Sequence, residues 1–251
     1  VVQAVKKKFQ FKKVGHLGTL DPMATGLLIL AINRGTKFSS LLLESHKSYA
    51  AEVTLGVQTD TDDAEGEQIV ARPITCSNEE ANQILLSFLG KSKQNPPTYS
   101  ALKVHGKPMY KYAREGIKVE KAPRDIEIKT IENISINLPS ISFEVSCSKG
   151  TYIRSIARDL GELLGCGGHL SALKRLTQQD FLLKDAKTID EINEQDIIPL
   201  EQAFNHLGSV HIFEEQLKKF MNGSAIDLNL SENNLLRVYN SENVFIALGR
   251  N

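Results

Sequence analysis

The chain of 251 residues is long enough for one large domain or for a main domain with a small appendage. Its hydrophobic content of 41% is typical of a globular protein, and its longest uncharged apolar run, residues 26–32, is far shorter than the ~18 residues that a membrane span requires. The 30 basic side chains balance the 30 acidic ones, which argues mildly against a nucleic-acid partner, and three cysteines without a Cys-X-X-Cys pair favour neither disulfides nor zinc. We expect a soluble cytoplasmic protein.

The first half of the chain predicts two helices and two strands. Apolar residues recur at helical spacing over residues 1–9, and because the chain begins with Val rather than Met we expect a native N-terminal segment to be missing. The apolar run 26–32 predicts one buried strand, and the alternation over residues 47–56 predicts a second strand with one inward face. A capping box, Ser-Asn-Glu-Glu at residues 77–80, opens a helix that is expected to stop at Gly90.

Residues 91–121 are polar, contain prolines and predict an excursion from the main sheet. Eight basic against two acidic side chains give this segment a net charge of +6, so the positive charge is concentrated along the chain as an RNA-facing surface requires. The segment also carries three of the six tyrosines, Tyr99, Tyr110 and Tyr112. An ordinary solvated loop remains the alternative interpretation.

The second half predicts strands, one strong helix and a small terminal module. Strand alternation returns in residues 126–147, and residues 151–164 have helical spacing. Thr-Ile-Asp-Glu at residues 188–191 is a second capping box and predicts a helical connection towards Phe204. Beyond His206 the pattern is of short strands, which indicates a small C-terminal β module.

Residues 14–26 place three glycines, a histidine and an Asp-Pro pair in a loop ahead of the apolar run. Glycines let the backbone approach a ligand closely. Taken alone, Asp21 also suits a turn in which it bonds its own backbone, and a lone His16 is more often structural. The segment matches neither phosphate-binding glycine motif, and the chain has no His/Glu pair at helical ligand spacing. Neither a nucleotide cofactor nor a hydrolytic metal site is therefore expected.

Residues 147–161 form a second candidate site, where a strand ends and a helix begins. Lys149, Tyr152 and Arg154 cluster there, and a helix N-terminus with nearby cations attracts phosphate or carboxylate. The alternative is a solvated first turn with one buried, paired arginine.

Four segments, in this order, resemble the TruB-type pseudouridine synthases over residues 14–176. They read GHLGTLDPMATG, KSYAAEVTLGVQTDTDDAEG, PPTYSALKVHGKPMYKYAREG and CSKGTYIRSIARDLGELLGCGGHLSALKRL. The resemblance implies that Asp21 is the catalytic aspartate and that Arg154 pairs with it. It further implies that Tyr49 lies against the target base, that His16 contacts RNA near the flipped nucleotide, and that Tyr152 and Leu173 line the uracil pocket. The family commonly has GHTG where this chain has GHLG, so Leu17 replaces the family's threonine hydroxyl.

The resemblance implies an α+β fold, with a mixed, mostly antiparallel sheet flanked by helices and a small C-terminal β module of PUA-like type. Residues 1–206 would be the catalytic domain, with an RNA-binding insertion at about 91–121, and residues 207–251 the RNA-binding module. The implied reaction is isomerisation of uridine 55 in the T-psi-C loop of tRNA, by base flipping and an essential aspartate, without cofactor or metal. We expect the T arm of tRNA as partner, no membrane, no required protein partner and a monomer.

Two other readings remain open in the sequence. A non-catalytic tRNA-binding or folding protein would share the basic excursion and the terminal module, but it would not need Asp21, Tyr49 and Arg154 together. A relative that works inside a guide-RNA particle would resemble only the first and last segments, so the excursion favours the stand-alone bacterial form. The sequence does not choose whether Asp21 attacks as a nucleophile or removes the C2′ proton.

Overall fold

The computed structural model describes residues 1–43, 45–100, 102–117, 119, 122–228 and 235–250. The chain forms two compact units, Val1–Asp190 and Glu191–Asn251. The expected division between a catalytic domain and a terminal module at residues 206 and 207 stays a prediction. Within the described residues, no helix is long and apolar enough to cross a membrane.

The first unit contains most of the helices and strands. Its helices are α1 (Val2–Lys8), α2 (Ser39–Leu43), α3 (Asn78–Leu86), α4 (Met109–Arg114) and α5 (Ile153–Leu163). Its strands are β1 (Val14–His16), β2 (Thr25–Gly26), β3 (Leu30–Ile32), β4 (Lys47–Leu55), β5 (Val57–Thr59), β6 (Gln68–Ala71), β7 (Gly90–Gln94), β8 (Lys103–Val104), β9 (Lys107–Pro108), β10 (Arg124–Asn137), β11 (Ser140–Cys147), β12 (Gly168–Gln178) and β13 (Phe181–Leu182).

The main sheet of the first unit has the order β13-β12-β4-β11-β10-β7, and β2 pairs with β12 off this path. Pairings along this order are antiparallel, whereas β2 runs parallel to β12. Helices α3 and α5 pack their apolar side chains into the core that this sheet forms. The predicted mixed, mostly antiparallel sheet flanked by helices is therefore confirmed.

The core follows directly from the two periodicities of the sequence. Alternate residues of β4 and of β11 are buried, because successive side chains of a strand point to opposite faces. Helix α3 begins at the predicted capping box, in which Ser77 and Glu80 satisfy each other's backbone N–H groups. Helix α5 buries Ile156, Ala157 and Leu160 on one face.

The single strand predicted over residues 26–32 is wrong. Two short strands stand there, and they have different partners, because β2 pairs with β12 while β3 pairs with β1 in a separate two-stranded sheet. The break lies at Gly26, whose φ is +96° and whose missing Cβ would overlap the carbonyl oxygen of Arg175. An apolar run alone does not reveal such a turn of the backbone.

The excursion predicted from Lys91 begins later than expected. Residues 90–94 form β7, which pairs with β10 at the edge of the main sheet. Exposed Lys91 and Lys93 suit an edge strand, where lysine side chains discourage pairing with other chains, so positive charge did not exclude a strand. The hairpin β8–β9 and helix α4 lie in the excursion proper, whereas Lys118, Glu120 and Lys121 lie outside the described residues.

The helix predicted from residue 188 towards Phe204 is also wrong. The segment contains two short 3-10 turns, Glu194–Asp196 and Gln202–Phe204, and the first is capped by Asn193. Pro199 explains the difference, because proline disfavours helical backbone in the residue before it and lacks the N–H that a continuing helix needs.

The second unit confirms the small C-terminal β module. Its strands are β14 (Ser209–His211), β15 (Leu235–Tyr239) and β16 (Phe245–Arg250), and β15 is the central strand. The sequence analysis missed helix α6 (Glu214–Met221). Two glutamates in its first turn and two lysines in its last turn complement the helix dipole. This charge pattern could have predicted the helix from the sequence.

Candidate active site

Asp21 lies in the loop between β1 and β2, and its backbone and its side chain serve different purposes. Its carbonyl oxygen accepts a hydrogen bond of 2.9 Å from the N–H of Ala24, so the Asp-Pro pair does form a turn. The carboxylate takes no part in that backbone hydrogen bond, and 30% of the side-chain surface of Asp21 stays exposed. A carboxylate held in this way is open to a ligand on one side.

Arg154 holds the carboxylate of Asp21 on its other side. The terminal nitrogen Nη2 donates to Oδ1 at 3.0 Å. The Nε atom lies 2.9 Å from Oδ2 in an ion pair that lacks hydrogen-bond geometry. Arg154 is only 5% exposed and stands in the first turn of α5, so its guanidinium is held in a fixed place beside the carboxylate of Asp21. The predicted pair is present in the structure.

A second buried carboxylate completes the surroundings of Arg154. Asp63, which is 3% exposed, lies 3.3 Å from Nη1 of Arg154 through its Oδ2 atom. The same arginine donates to the carbonyl oxygens of Thr61 and Tyr99, both at 2.9 Å. Asp63 and the two carbonyl oxygens therefore fix the guanidinium, whose edge formed by Nε and Nη2 faces Asp21.

Sequence analysis did not single out Asp63, because it stands in an acidic run that reads as a solvated loop. Its Oδ1 atom accepts hydrogen bonds from the hydroxyl of Thr61 and from the N–H of Glu65, so the carboxylate is satisfied within its own loop before it meets Arg154. The neighbouring Asp62 forms a separate ion pair with Arg158, one helical turn after Arg154, at 3.0 Å. Burial raises the pKa of Asp62 to about 6, although Arg158 and Arg154 oppose that shift.

Tyr49 is buried on β4, opposite Arg175 of β12 and Val145 of β11. Burial raises the pKa of its hydroxyl to about 12, and the charge and hydrogen bonding of Arg175 partly offset that rise. Asp21 acts on the same hydroxyl through its charge. Tyr49 is therefore protonated at neutral pH and lies within electrostatic range of the carboxylate.

Tyr152 stands immediately before α5, where a buried glutamine fixes its backbone. The side chain of Gln94 accepts from the N–H of Tyr152 at 2.8 Å and donates to its carbonyl oxygen at 3.0 Å. Burial raises the pKa of the Tyr152 hydroxyl, and both Arg154 and Asp21 act on it through their charges. The guanidinium of Arg124 lies 5.9 Å from the centre of the Tyr152 ring. Gln94 was missed because its partner is 58 residues away.

The remaining two predicted residues differ in their surroundings. Leu173 is buried on β12 next to Ala51, two residues along β4 from Tyr49, and it belongs to the main core cluster. His16 is exposed on β1, paired in register with Leu30. The structure thus groups Asp21, Tyr49, Tyr152 and Arg154, and it leaves His16 on the surface that leads to the loop. In the described part of the chain, no group of three or more His, Cys, Asp or Glu residues could hold a metal ion.

Three family models match almost the whole chain. The N-terminal domain of the TruB family pseudouridylate synthases matches residues 6–153. The tRNA pseudouridylate synthase B C-terminal domain matches residues 154–206, and the C-terminal model of pseudouridine synthase II TruB matches residues 208–250.

Curated relatives agree with these models. The tRNA pseudouridine synthase B of Alkaliphilus oremlandii (strain OhILAs) is 44% identical over 234 residues, which cover 91% of this chain and 78% of the relative. The tRNA pseudouridine synthase B of Clostridium kluyveri is 41% identical over 260 residues, which cover 100% of this chain and 90% of the relative.

Solved structures share the fold. A crystal structure of a Cbf5-Nop10-Gar1 complex matches with a TM-score of 0.71 and 25% identity, and the match covers 99% of this chain and 73% of that one. A structure of an H/ACA RNP bound to a substrate RNA containing 2′-deoxyuridine matches with a TM-score of 0.70 and 23% identity, over 99% of this chain and 72% of that one. The second likeness concerns the fold alone.

The family models and the curated relatives define this protein as a pseudouridine synthase. The chain belongs to the TruB family. The family, the enzyme class and the fold class predicted from the four sequence segments are thereby confirmed.

Proposed function

We propose that this enzyme converts uridine 55 in the T loop of tRNA into pseudouridine, with Asp21 as the catalytic residue and without a cofactor. The names of the curated relatives support tRNA as the substrate. The observation that carries the catalytic assignment is the pair of Asp21 with Arg154, which orients the carboxylate and leaves 30% of the Asp21 side chain exposed. In this proposal His16, Tyr49, Tyr152, Arg154 and Leu173 bind the substrate.

The reaction needs one reactive carboxylate and a pocket. It breaks the bond between N1 and C1′, rotates the uracil and rejoins it through C5, so no atoms enter or leave. A uridine within a folded loop must first be flipped out, at a cost of a few kcal/mol of lost stacking. Asp21 then either attacks at C6 or C1′ or removes the C2′ proton. Tyr49 stacks on the uracil in this scheme, and because its hydroxyl starts protonated, it must pass on that proton before it can take one from C5.

The function is tested by release of tritium from tRNA labelled at uracil C5. We expect release with wild-type protein, and none from a transcript whose T-loop target uridine is replaced by cytidine, because C5 of that uridine loses its hydrogen when the glycosidic bond moves. Tight tRNA binding without tritium release would contradict the proposal and favour the non-catalytic binding or folding protein.

We also propose that the predicted excursion of residues 91–121 clasps the tRNA through the part that follows β7, residues 95–121. Its described part contains a β8–β9 hairpin followed by α4. Tyr112 makes its contacts within the excursion, since its hydroxyl donates to the carbonyl oxygen of Val104 at 3.2 Å and Lys107 lies 4.5 Å from its ring centre. The basic side chains are therefore the better candidates for phosphate contacts.

Deletion of the excursion tests the clasp. Residues 102–117 would be replaced by a short glycine-serine linker, so that Gln94 and the carbonyl oxygen of Tyr99 still hold Tyr152 and Arg154. We expect tRNA affinity to fall roughly 10-fold or more, and the salt dependence to weaken by about one unit of slope for each phosphate that the shortened protein no longer neutralises. Binding is measured over a series of salt concentrations. The melting temperature is measured as well, so that a loss of affinity is not a loss of folding. The same affinity and slope in the shortened protein would refute the clasp.

The remaining parts of the proposal concern partners and organisation. We propose that residues 207–251 form an RNA-binding module of PUA-like type, that the T arm is the recognised part of the tRNA, and that the enzyme works in the cytoplasm as a monomer without a protein partner. The three-stranded sheet of β14, β15 and β16 supports the module assignment.

A further inference from the structure

Arg175, on β12, is an unusual buried cation. It is 1% exposed, and among the described residues no carboxylate lies within 4.0 Å of its guanidinium. Burying a charge without an ionic partner is costly unless hydrogen bonds satisfy it. The role of Arg175 therefore depends on the groups that its hydrogen bonds hold in place.

The hydrogen bonds of Arg175 grip both ends of the loop that carries Asp21. Its Nε donates to the carbonyl oxygen of Leu27 at 2.7 Å, and Nη2 donates to the carbonyl oxygen of Gly18 at 3.2 Å. Its own carbonyl oxygen accepts from the N–H of Leu27 at 2.9 Å. Asp21 lies between these two attachment points, so the span of its loop is fixed by one side chain.

The ends of the loop are also packed closely against the backbone of β12. Gly26 lies against the backbone of Arg175 so closely that a Cβ would overlap it. Gln178, three residues further along β12, donates to the carbonyl oxygen of Leu17 at 2.8 Å. The loop is thus held against β12 at its start, by Gly18 and Leu17, and at its end, by Gly26 and Leu27.

Arg175 also reaches the active-site tyrosine. Tyr49 is its register partner on β4, and the guanidinium acts on the Tyr49 hydroxyl. One buried side chain therefore holds the loop of Asp21 by hydrogen bonds and lies opposite Tyr49 in the sheet.

Resting on the proposed function, we propose that Arg175 is a positioning residue that sets the Asp21 loop and the Tyr49 hydroxyl relative to each other. It does not touch substrate. Its loss should slow the chemical step and leave tRNA binding unchanged, because misplacing a reacting group by about 1 Å can cost on the order of 100-fold in rate.

The test compares Arg175→Met and Arg175→Lys with wild type and with a core variant, Ile141→Ala, in a fully buried position on β11. Three quantities are measured: the single-turnover rate of tritium release, the affinity for tRNA, and hydrogen exchange of the amides in residues 17–27. For Arg175→Met we expect a rate loss of about 100-fold, unchanged affinity and faster exchange in residues 17–27 but not in α3. Arg175→Lys should be nearly as slow as Arg175→Met, since one ammonium group cannot bind both ends of the loop and also interact with Tyr49.

Three results would overturn the positioning role. These are a rate loss no greater than that of Ile141→Ala at an equal fall in melting temperature, unchanged exchange in residues 17–27, and full activity of Arg175→Lys. Failure of the proposed function looks different, because wild-type protein would then release no tritium while exchange in residues 17–27 still reports on Arg175.

Discussion

Replacing Asp21 with asparagine is expected to abolish pseudouridine formation and to leave tRNA binding intact. Asparagine has the size of aspartate, and the turn at this position is made by the backbone, so the loop keeps its shape. The variant lacks the negative charge that the proposed reaction requires. We expect a rate loss of more than about 1,000-fold, because the substitution removes the proposed reacting group itself.

The measurement is tritium release under single-turnover conditions, alongside tRNA affinity. Asp125→Asn is a matched control, since its side chain is 89% exposed on β10 and its ion pair with Lys93 is long, at 3.9 Å. Asp21→Ala guards against slow deamidation, which would regenerate aspartate from asparagine. Wild-type turnover by Asp21→Ala, which cannot regenerate aspartate, would exclude Asp21 as the catalytic residue.

Replacing Arg154 is expected to damage both activity and stability. Arg154→Met leaves two carboxylates, Asp21 and Asp63, without their shared cation, and breaking a buried ion pair in this way costs about 3–5 kcal/mol. Activity should fall by roughly 100-fold or more, because Asp21 is no longer oriented. Arg154→Lys keeps the charge, but a single ammonium group cannot reach two carboxylates and two carbonyl oxygens at once.

The two effects can be separated by adding Asp63→Asn to Arg154→Met. The double variant no longer buries an unpaired Asp63 charge, so melting temperature should recover in part while tritium release does not. Arg158→Met is the control, because Arg158 lies one turn along the same helix and pairs with Asp62 instead. Equal activity losses in Arg158→Met and Arg154→Met would show that the effect is one of stability alone.

Local periodicity was enough to predict the elements that build the core. Alternation over residues 47–55, the capping box at Ser77 and the apolar spacing of α5 each depend on neighbours in sequence, and each is present in the structure. The apolar run 26–32 failed because its break depends on the distant backbone of Arg175. The prediction for Lys91–Gln94 failed because charge was read as a sign of a loop, whereas edge strands tolerate it.

The site was predictable only where a motif marked it. Composition and spacing left Asp21 as a turn residue, and only the resemblance to a family singled it out. Neither the composition and spacing nor the resemblance to a family singled out Asp63, Gln94 or Arg175. Each is a buried polar residue whose partner lies tens of residues or more away in sequence, so its role depends on the folded chain.

Gly161 allows the backbone of helix α5 to lie directly against the backbone that enters β12. A Cβ at this position of α5 would overlap the backbone of Gly167 and Gly168, so the helix rests directly on the start of β12. Leu173 and Arg175 stand on that strand, and Arg154 stands on that helix. Any side chain introduced at position 161 would therefore displace the strand that carries Leu173 and Arg175 and the helix that carries Arg154 together.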